Sequence, residues 1–251
     1  MVKLTLPKLF NIFASSLALS FFLVSNSYSQ TEKIRYSDFL PLNYTANFKK
    51  SVHTNFEGTG KVDGEEISIS LRLKQEVGVL SKFKNKQWTK VKTSVDGLAG
   101  DAAVNETLVA LYDLKSKLQI YEISLVSGHL IKQDGTDEIY VEDESVKKFE
   151  WNKIPSYLTL GQAVDAGSYT ETDKDGKVIS NAKISFLITK IKNGYEFCQI
   201  EYINNLETSE SGTSEGCDLF SISKELTGSR EKAKIGANIE LSVVAGKIII
   251  K

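Results

Sequence analysis

Few residues in this chain are of a type that does chemistry. In 251 residues there are two histidines, His53 and His129, and two cysteines, Cys198 and Cys217. Either histidine has the chemistry of a general base. Neither stands in a Gly-x-Ser-x-Gly or His-Glu-x-x-His setting, so both are read as surface or interface residues. The cysteines are 19 residues apart, and between them Glu207 to Gly216 consists wholly of Glu, Thr, Ser and Gly. That stretch is expected to be a solvated loop. If Tyr195 to Asn204 and Gly216 to Ile222 pair as a hairpin around it, Cys198 and Cys217 come opposite each other, at the separation a disulfide needs. The expectation is therefore a Cys198–Cys217 disulfide, contributing about 3 kcal/mol in the chain-entropy account. The alternative is a pair of reduced, buried thiols. The chain has no Cys-x-x-Cys pattern, which argues against a redox-active pair.

Carboxylates offer the remaining chemistry. Asp134, Asp137, Glu138, Glu142, Asp143 and Glu144 lie within eleven residues and read as a solvated face, with weak surface calcium binding as the alternative. Asp173-Lys174-Asp175-Gly176 begins like a calcium loop. It then places Lys177 fifth and Ile184 twelfth, where oxygen ligands are required, so it reads as a hairpin turn. Paired carboxylates for glycoside hydrolysis are defined by spacing in the fold, and no pair is singled out by the sequence. No residue is assigned to catalysis, to a metal or to a cofactor, and ligand-binding residues are not identified from these patterns.

The elements that must carry these residues show a period of two. Ile67, Ile69, Leu71 and Leu73 alternate with Ser68, Ser70, Arg72 and Lys74, and similar alternation marks Ala182 to Ile188 and Ile239 to Ala245. Hairpin dipeptides lie between such runs: Asp63-Gly64, Asp134-Gly135, Asp175-Gly176 and Asn193-Gly194, with Asn85-Lys86 as a further turn. The fold expected is mainly β: an antiparallel meander forming a curved sheet or half-barrel, with at most one or two short helices. Residues 101–115 fit either a helix or a strand turning at Lys115-Ser116-Lys117, with the strand favoured. Glu142 to Trp151 fits a short helix, because Glu144 and Lys148 stand four apart, or a linker between two halves of the sheet. The aromatic residues, including Phe149, Trp151, Tyr169, Phe186, Phe197 and Phe220, fall mostly in these strands. They are read first as core and cross-strand packing, and second as the lining of an apolar pocket.

Residues 1–29 read as a secretory signal peptide. Lys3 and Lys8 precede an uncharged apolar run from Leu9 to Val24, and Ser27 and Ser29 supply small residues before a cut ahead of Gln30. Residues 30–251 are then a single β-rich domain, or two sheet halves joined near 142–156. The chain as a whole has 31 basic and 32 acidic residues; without Lys3 and Lys8 the balance is 29 against 32, a net charge of −3. Such a surface does not attract phosphate backbones, so nucleic acid is not expected as a partner. After the leader no segment is long and apolar enough to span a bilayer as a helix. With 41% hydrophobic and 25% charged residues the composition is that of a globular protein.

From Trp151 onward the order Pro155, Leu158, Gly161, Gly167-Ser168-Tyr169 and Gly194-Tyr195-Glu196-Phe197-Cys198-Gln199-Ile200 resembles a group of uncharacterised exported bacterial β-proteins. These are built as long curved antiparallel sheets, distantly like the lipoprotein-carrier half-barrel. The resemblance covers about residues 151–223, and Cys217 and Leu219-Phe220-Ser221 depart from the group's pattern. It implies a fold and a compartment but no activity. The function expected is that of an exported, periplasmic, non-enzymatic binding or carrier protein for an apolar, lipid-like ligand or an envelope protein. The alternatives are a structural or assembly factor of the envelope and, third, a carboxylate-based hydrolase.

Overall fold

A computed structural model of the chain describes residues 32–39, 51–84, 86–116, 118–131, 137–141, 145–246 and 249–250. The leader and most of the acidic run near residue 140 lie outside them. The strands in chain order are β1 (Lys33–Arg35), β2 (Ser51–Val62), β3 (Glu65–Phe83), β4 (Lys86–Ala99), β5 (Ala102–Tyr112), β6 (Gln119–Ile131), β7 (Asp137–Val141) and β8 (Ser145–Trp151). They continue with β9 (Tyr157–Thr159), β10 (Val164–Thr172), β11 (Val178–Ile191), β12 (Gly194–Asn205), β13 (Ser211–Ser221), β14 (Leu226–Ile235), β15 (Ile239–Ala245) and β16 (Ile249–Ile250). One turn of 3-10 helix, Tyr36–Phe39, follows β1.

The antiparallel meander is present, but its sheet closes. From β2 to β6, then through β8 and β10 to β15, each strand pairs with the next, and β15 pairs back onto β2 from Ile239↔Val62 to Ala245↔Phe56. The result is a closed barrel of 12 strands rather than a curved sheet or half-barrel. Strand pairing across nearly the whole chain length leaves no mark on local periodicity, so closure was not legible. β7 pairs with β6 beyond β8, β16 pairs with β2 beyond β15, and β1 pairs with β9 as a separate ribbon.

One open alternative is resolved and two further expectations change. Residues 101–115 hold the strand β5, as favoured. Ser145–Trp151 is neither helix nor linker: β8 pairs with both β6 and β10 and makes the sheet continuous. Most of the supposed polar loop is strand, because β13 begins at Ser211 and pairs with β12 along its length. Its small polar residues Gly212, Ser214 and Gly216 lie on the face turned to the barrel interior, where polarity had been read as solvation.

Turn chemistry follows the sequence. Asp63 and Gly64 both take positive φ between β2 and β3. Asp173 Oδ1 accepts the backbone N–H groups of Asp175 and Lys177 at 3.0 and 2.9 Å, closing the β10–β11 hairpin as a turn. The outer face carries charges around the ring, including Arg72–Asp96 at 2.6 Å, Lys148–Glu150 at 2.6 Å and Lys234–Glu240 at 2.8 Å. A membrane barrel presents an apolar band at such positions. No helix among the described residues is long and apolar enough to cross a membrane.

The interior has two apolar regions. One gathers Phe56, Ile69, Leu71, Val95, Leu241 and Val243 around the closing strands. The other gathers Phe149, Tyr169, Ile184, Phe186, Phe197 and Phe220 from β8 and β10–β13. Closure requires close approach at the seam. A Cβ on Gly58 would lie 2.0 Å from the Ser242 carbonyl oxygen and 2.7 Å from Val243 Cα, both backbone atoms that cannot swing away. Gly58→Val is therefore expected to lower unfolding stability by about 2–3 kcal/mol in urea titration. An unchanged midpoint would mean that the seam is not built as described.

Candidate functional site

Cys198 and Cys217 are direct partners in the β12–β13 register, with Cα atoms 4.4 Å apart and sulfurs at disulfide distance. The expected pair is thus brought together, and side-chain alternation puts it on the outer face of the barrel. There it packs with Leu187 and Ile200, beside Arg230, whose Nε donates to Glu196 Oε1 at 2.7 Å. The ligand atoms of Glu196, Cys198 and Cys217 lie within 4.8 Å of one another. With the sulfurs joined they offer no thiolate, and Glu196 is already engaged by Arg230 and by Thr189 Oγ1. This cluster staples strands and is not a metal centre. His53 sits on β2 opposite Lys74 and Ile249, and His129 on β6 opposite Ala103 and Ile139.

The interior holds what sequence reasoning missed: a layer of ionisable groups between the apolar regions. Glu106, Glu122, Glu171, Glu201 and Lys147 are each 5% exposed or less. Their strands explain the placement. Lys147 is the register partner of Glu122 on one side and of Glu171 on the other. Its Nζ lies 3.3 Å from Glu122 Oε1 and 5.2 Å from the Tyr169 ring centroid. Ser145 and Ser180 donate to the two oxygens of Glu171 at 2.8 and 2.6 Å, and Ser124 donates to Glu106 at 3.0 Å. Gln199 donates to Glu201 Oε1 at 2.8 Å. Oε2 of Glu106 and Oε2 of Glu201 are buried and accept no hydrogen bond.

Burial dominates the proton affinities. It pushes Glu106 up to about 8, with Ser124 opposing and Glu122 reinforcing the shift. It pushes Glu201 up to about 7, with Lys147 and Gln199 opposing. Burial also disfavours the charged form of Lys147, but Glu122, Glu171 and Glu201 outweigh it and hold the ammonium above its usual range. The layer thus contains one firmly charged lysine and at least two carboxyls that hold protons near neutral pH. The signal available in the sequence was a glutamate in an apolar alternation, as in Ala102, Val104, Glu106, Leu108.

The aromatic end has a different missed feature. Phe39, from the turn after β1, is fully buried although its segment is not part of the ring. Its ring stands edge-on to Phe220 at 4.9 Å and to Tyr195 at 5.9 Å, and stacks on Phe197 at 6.0 Å. Those three residues point inward on β12 and β13, so Phe39 plugs the barrel from outside. The plug segment is pinned by Ile34↔Leu158, by Lys190–Glu32 at 2.9 Å and by the Lys224–Asp38 ion pair. An open depression of about 330 Å³ lies elsewhere, at the ends of β12–β14, lined by residues including Tyr202, Thr213 and Lys234.

Comparison with known proteins gives no match to a family model, a curated protein or a solved structure.

The acid layer has a consequence for stability. A carboxyl whose pKa is raised on folding stabilises the fold while protonated, and that contribution is lost as pH rises from its unfolded value of 4.5 to its folded value of about 8. Glu106 alone accounts for a loss on the order of 4 kcal/mol over that range. Stability measured by urea unfolding should fall between pH 5.5 and 9, and Glu106→Gln should flatten the slope and be the more stable protein at pH 9. An identical slope in both proteins would place Glu106 outside the buried layer.

Proposed function

We propose that the protein is an exported, non-enzymatic binding protein that holds an apolar ligand in the aromatic end of its barrel. The observation that carries this reading is Phe39. Tyr195, Phe197 and Phe220 are packed against a side chain supplied from outside the ring. An eight-stranded barrel is just filled by its own inward side chains, and a twelve-stranded ring encloses more space. Here a segment from outside the ring fills part of it. That segment occupies the place of a ligand.

The energetics allow exchange. The ion pair Lys190–Glu32 is exposed and contributes little. Besides the β1–β9 pairing and the Lys224–Asp38 pair, the segment is held by burial of Phe39 and Ile34, worth about 1.5–3 kcal/mol each. An alkyl chain of about ten methylenes gains about 8 kcal/mol on full burial, enough to displace them. The twelve strands of the ring are each paired on both sides, so strand addition by a partner is confined to β7, β16 and the β1–β9 ribbon. The carboxylates that a hydrolase would need are available in kind, but Glu106 and Glu201 are 1% and 0% exposed.

The test uses N-phenyl-1-naphthylamine, an uncharged hydrophobic fluorophore. Saturable binding of one probe per chain is expected, about tenfold tighter in Phe39→Ala because the competing ring is removed. Locking the plug through Lys33→Cys with Thr159→Cys, which are register partners, should abolish binding until reductant is added. Equal binding by locked and unlocked proteins, or none by either the wild type or Phe39→Ala, would overturn the reading.

A further inference from the structure

The inward face of β12 runs from the aromatic end toward the acid layer. On β12 the inward positions are Tyr195, Phe197, Gln199 and Glu201, so one strand connects the aromatic rings around Phe39 to the Glu201 carboxyl. Phe197 and Glu201 stand four steps apart along the strand, about 13 Å. Glu201 is the register partner of Ile184 on β11 and Ser214 on β13. It is fully buried, receives Gln199 on Oε1, and has Oε2 without a hydrogen-bond partner. An unsatisfied buried carboxylate oxygen costs stability unless something fills its place, and native proteins rarely leave one.

Charge balance points the same way. Glu106, Glu122, Glu171 and Glu201 share the interior with Lys147, which is bonded to Glu122. The groups facing Glu201 electrostatically are Lys147, Glu122 and Glu171. Tyr169 also feels its charge. Among the described residues of the layer Lys147 is the one cation, and it is engaged by Glu122, while the oxygen that lacks a partner is on the strand that leads from the aromatic end.

Resting on the binding function proposed above, we infer that the ligand is a cationic amphiphile: an alkyl or aryl body takes the place of Phe39, and a protonated amine at its other end meets Glu201. A hydrogen-bonded ammonium supplies the missing donor, and it pairs with Glu201 once that carboxyl is ionised. An alkyl chain of about ten carbons spans the distance from the rings around Phe39 to Glu201.

The experiment compares dodecylamine, dodecanol and dodecanoate, each below its micellar concentration, by displacement of N-phenyl-1-naphthylamine from the full mature chain. Dodecylamine is expected to bind at least about tenfold tighter than the alcohol and the acid, as for one charge-assisted hydrogen bond. Glu201→Gln should erase that preference while keeping alcohol binding. Wild-type preference for the amine should grow as pH rises from 6 to 8, as Glu201 loses its proton; this readout serves if Glu201→Gln does not fold. Equal affinity for the three amphiphiles, or an amine preference that survives in folded Glu201→Gln, overturns the inference and leaves the apolar site standing. Binding of none of them, even to Phe39→Ala, overturns the binding function itself.

Discussion

The pairing of β15 with β2 is the constraint on which the rest of the structure depends. Without it the sheet would be an open, twisted surface with one face to cover. With it, every inward side chain must share one enclosed space, and every outward one meets solvent or a neighbour on the same face. The seam is tight enough that Gly58 has room for no side chain. Closure at 12 strands also sets a volume problem. The ring is wider than its ordinary apolar residues fill, and the molecule solves this with large inward residues and with a plug.

The kind of residue used to fill the interior is informative. Aliphatic residues suffice near the seam. Across β5, β6, β8, β10 and β12 the chain uses glutamates and a lysine instead, tied by serines to strands on either side. Replacing such a network by hydrophobic side chains of similar volume is often neutral or stabilising. Its presence therefore does not follow from stability, and the two carboxyls with an unpartnered oxygen make it less stable than it needs to be. The binding function proposed above, in which a ligand supplies the missing partner, accounts for that arrangement.

Much of this architecture was legible locally. Alternation in β3, β11 and β15 gave strand and facing, Asp63-Gly64 and Asp175-Gly176 marked the turns, and the 19-residue spacing gave the register of Cys198 with Cys217. The rest depends on interactions that sequence patterns do not encode. Closure is a contact between strands far apart in the chain. Ser211 to Gly216 has the composition of a loop because its inward positions meet a polar interior, and Glu106 interrupts an apolar face for the same reason. Phe39 belongs to a segment too short to show any period, so only its packing reveals it.

The central claim is that the volume held by Phe39 is the ligand's. Nuclear Overhauser contacts of ring-labelled phenylalanines address it directly. In the free protein Phe39 should show contacts to Phe197 and Phe220, matching ring separations of 6.0 and 4.9 Å. At saturation with dodecylamine those contacts should vanish and be replaced by contacts from Phe197 and Phe220 to ligand methylenes. Persistence of the Phe39 contacts in the saturated protein would place the ligand elsewhere and contradict the account.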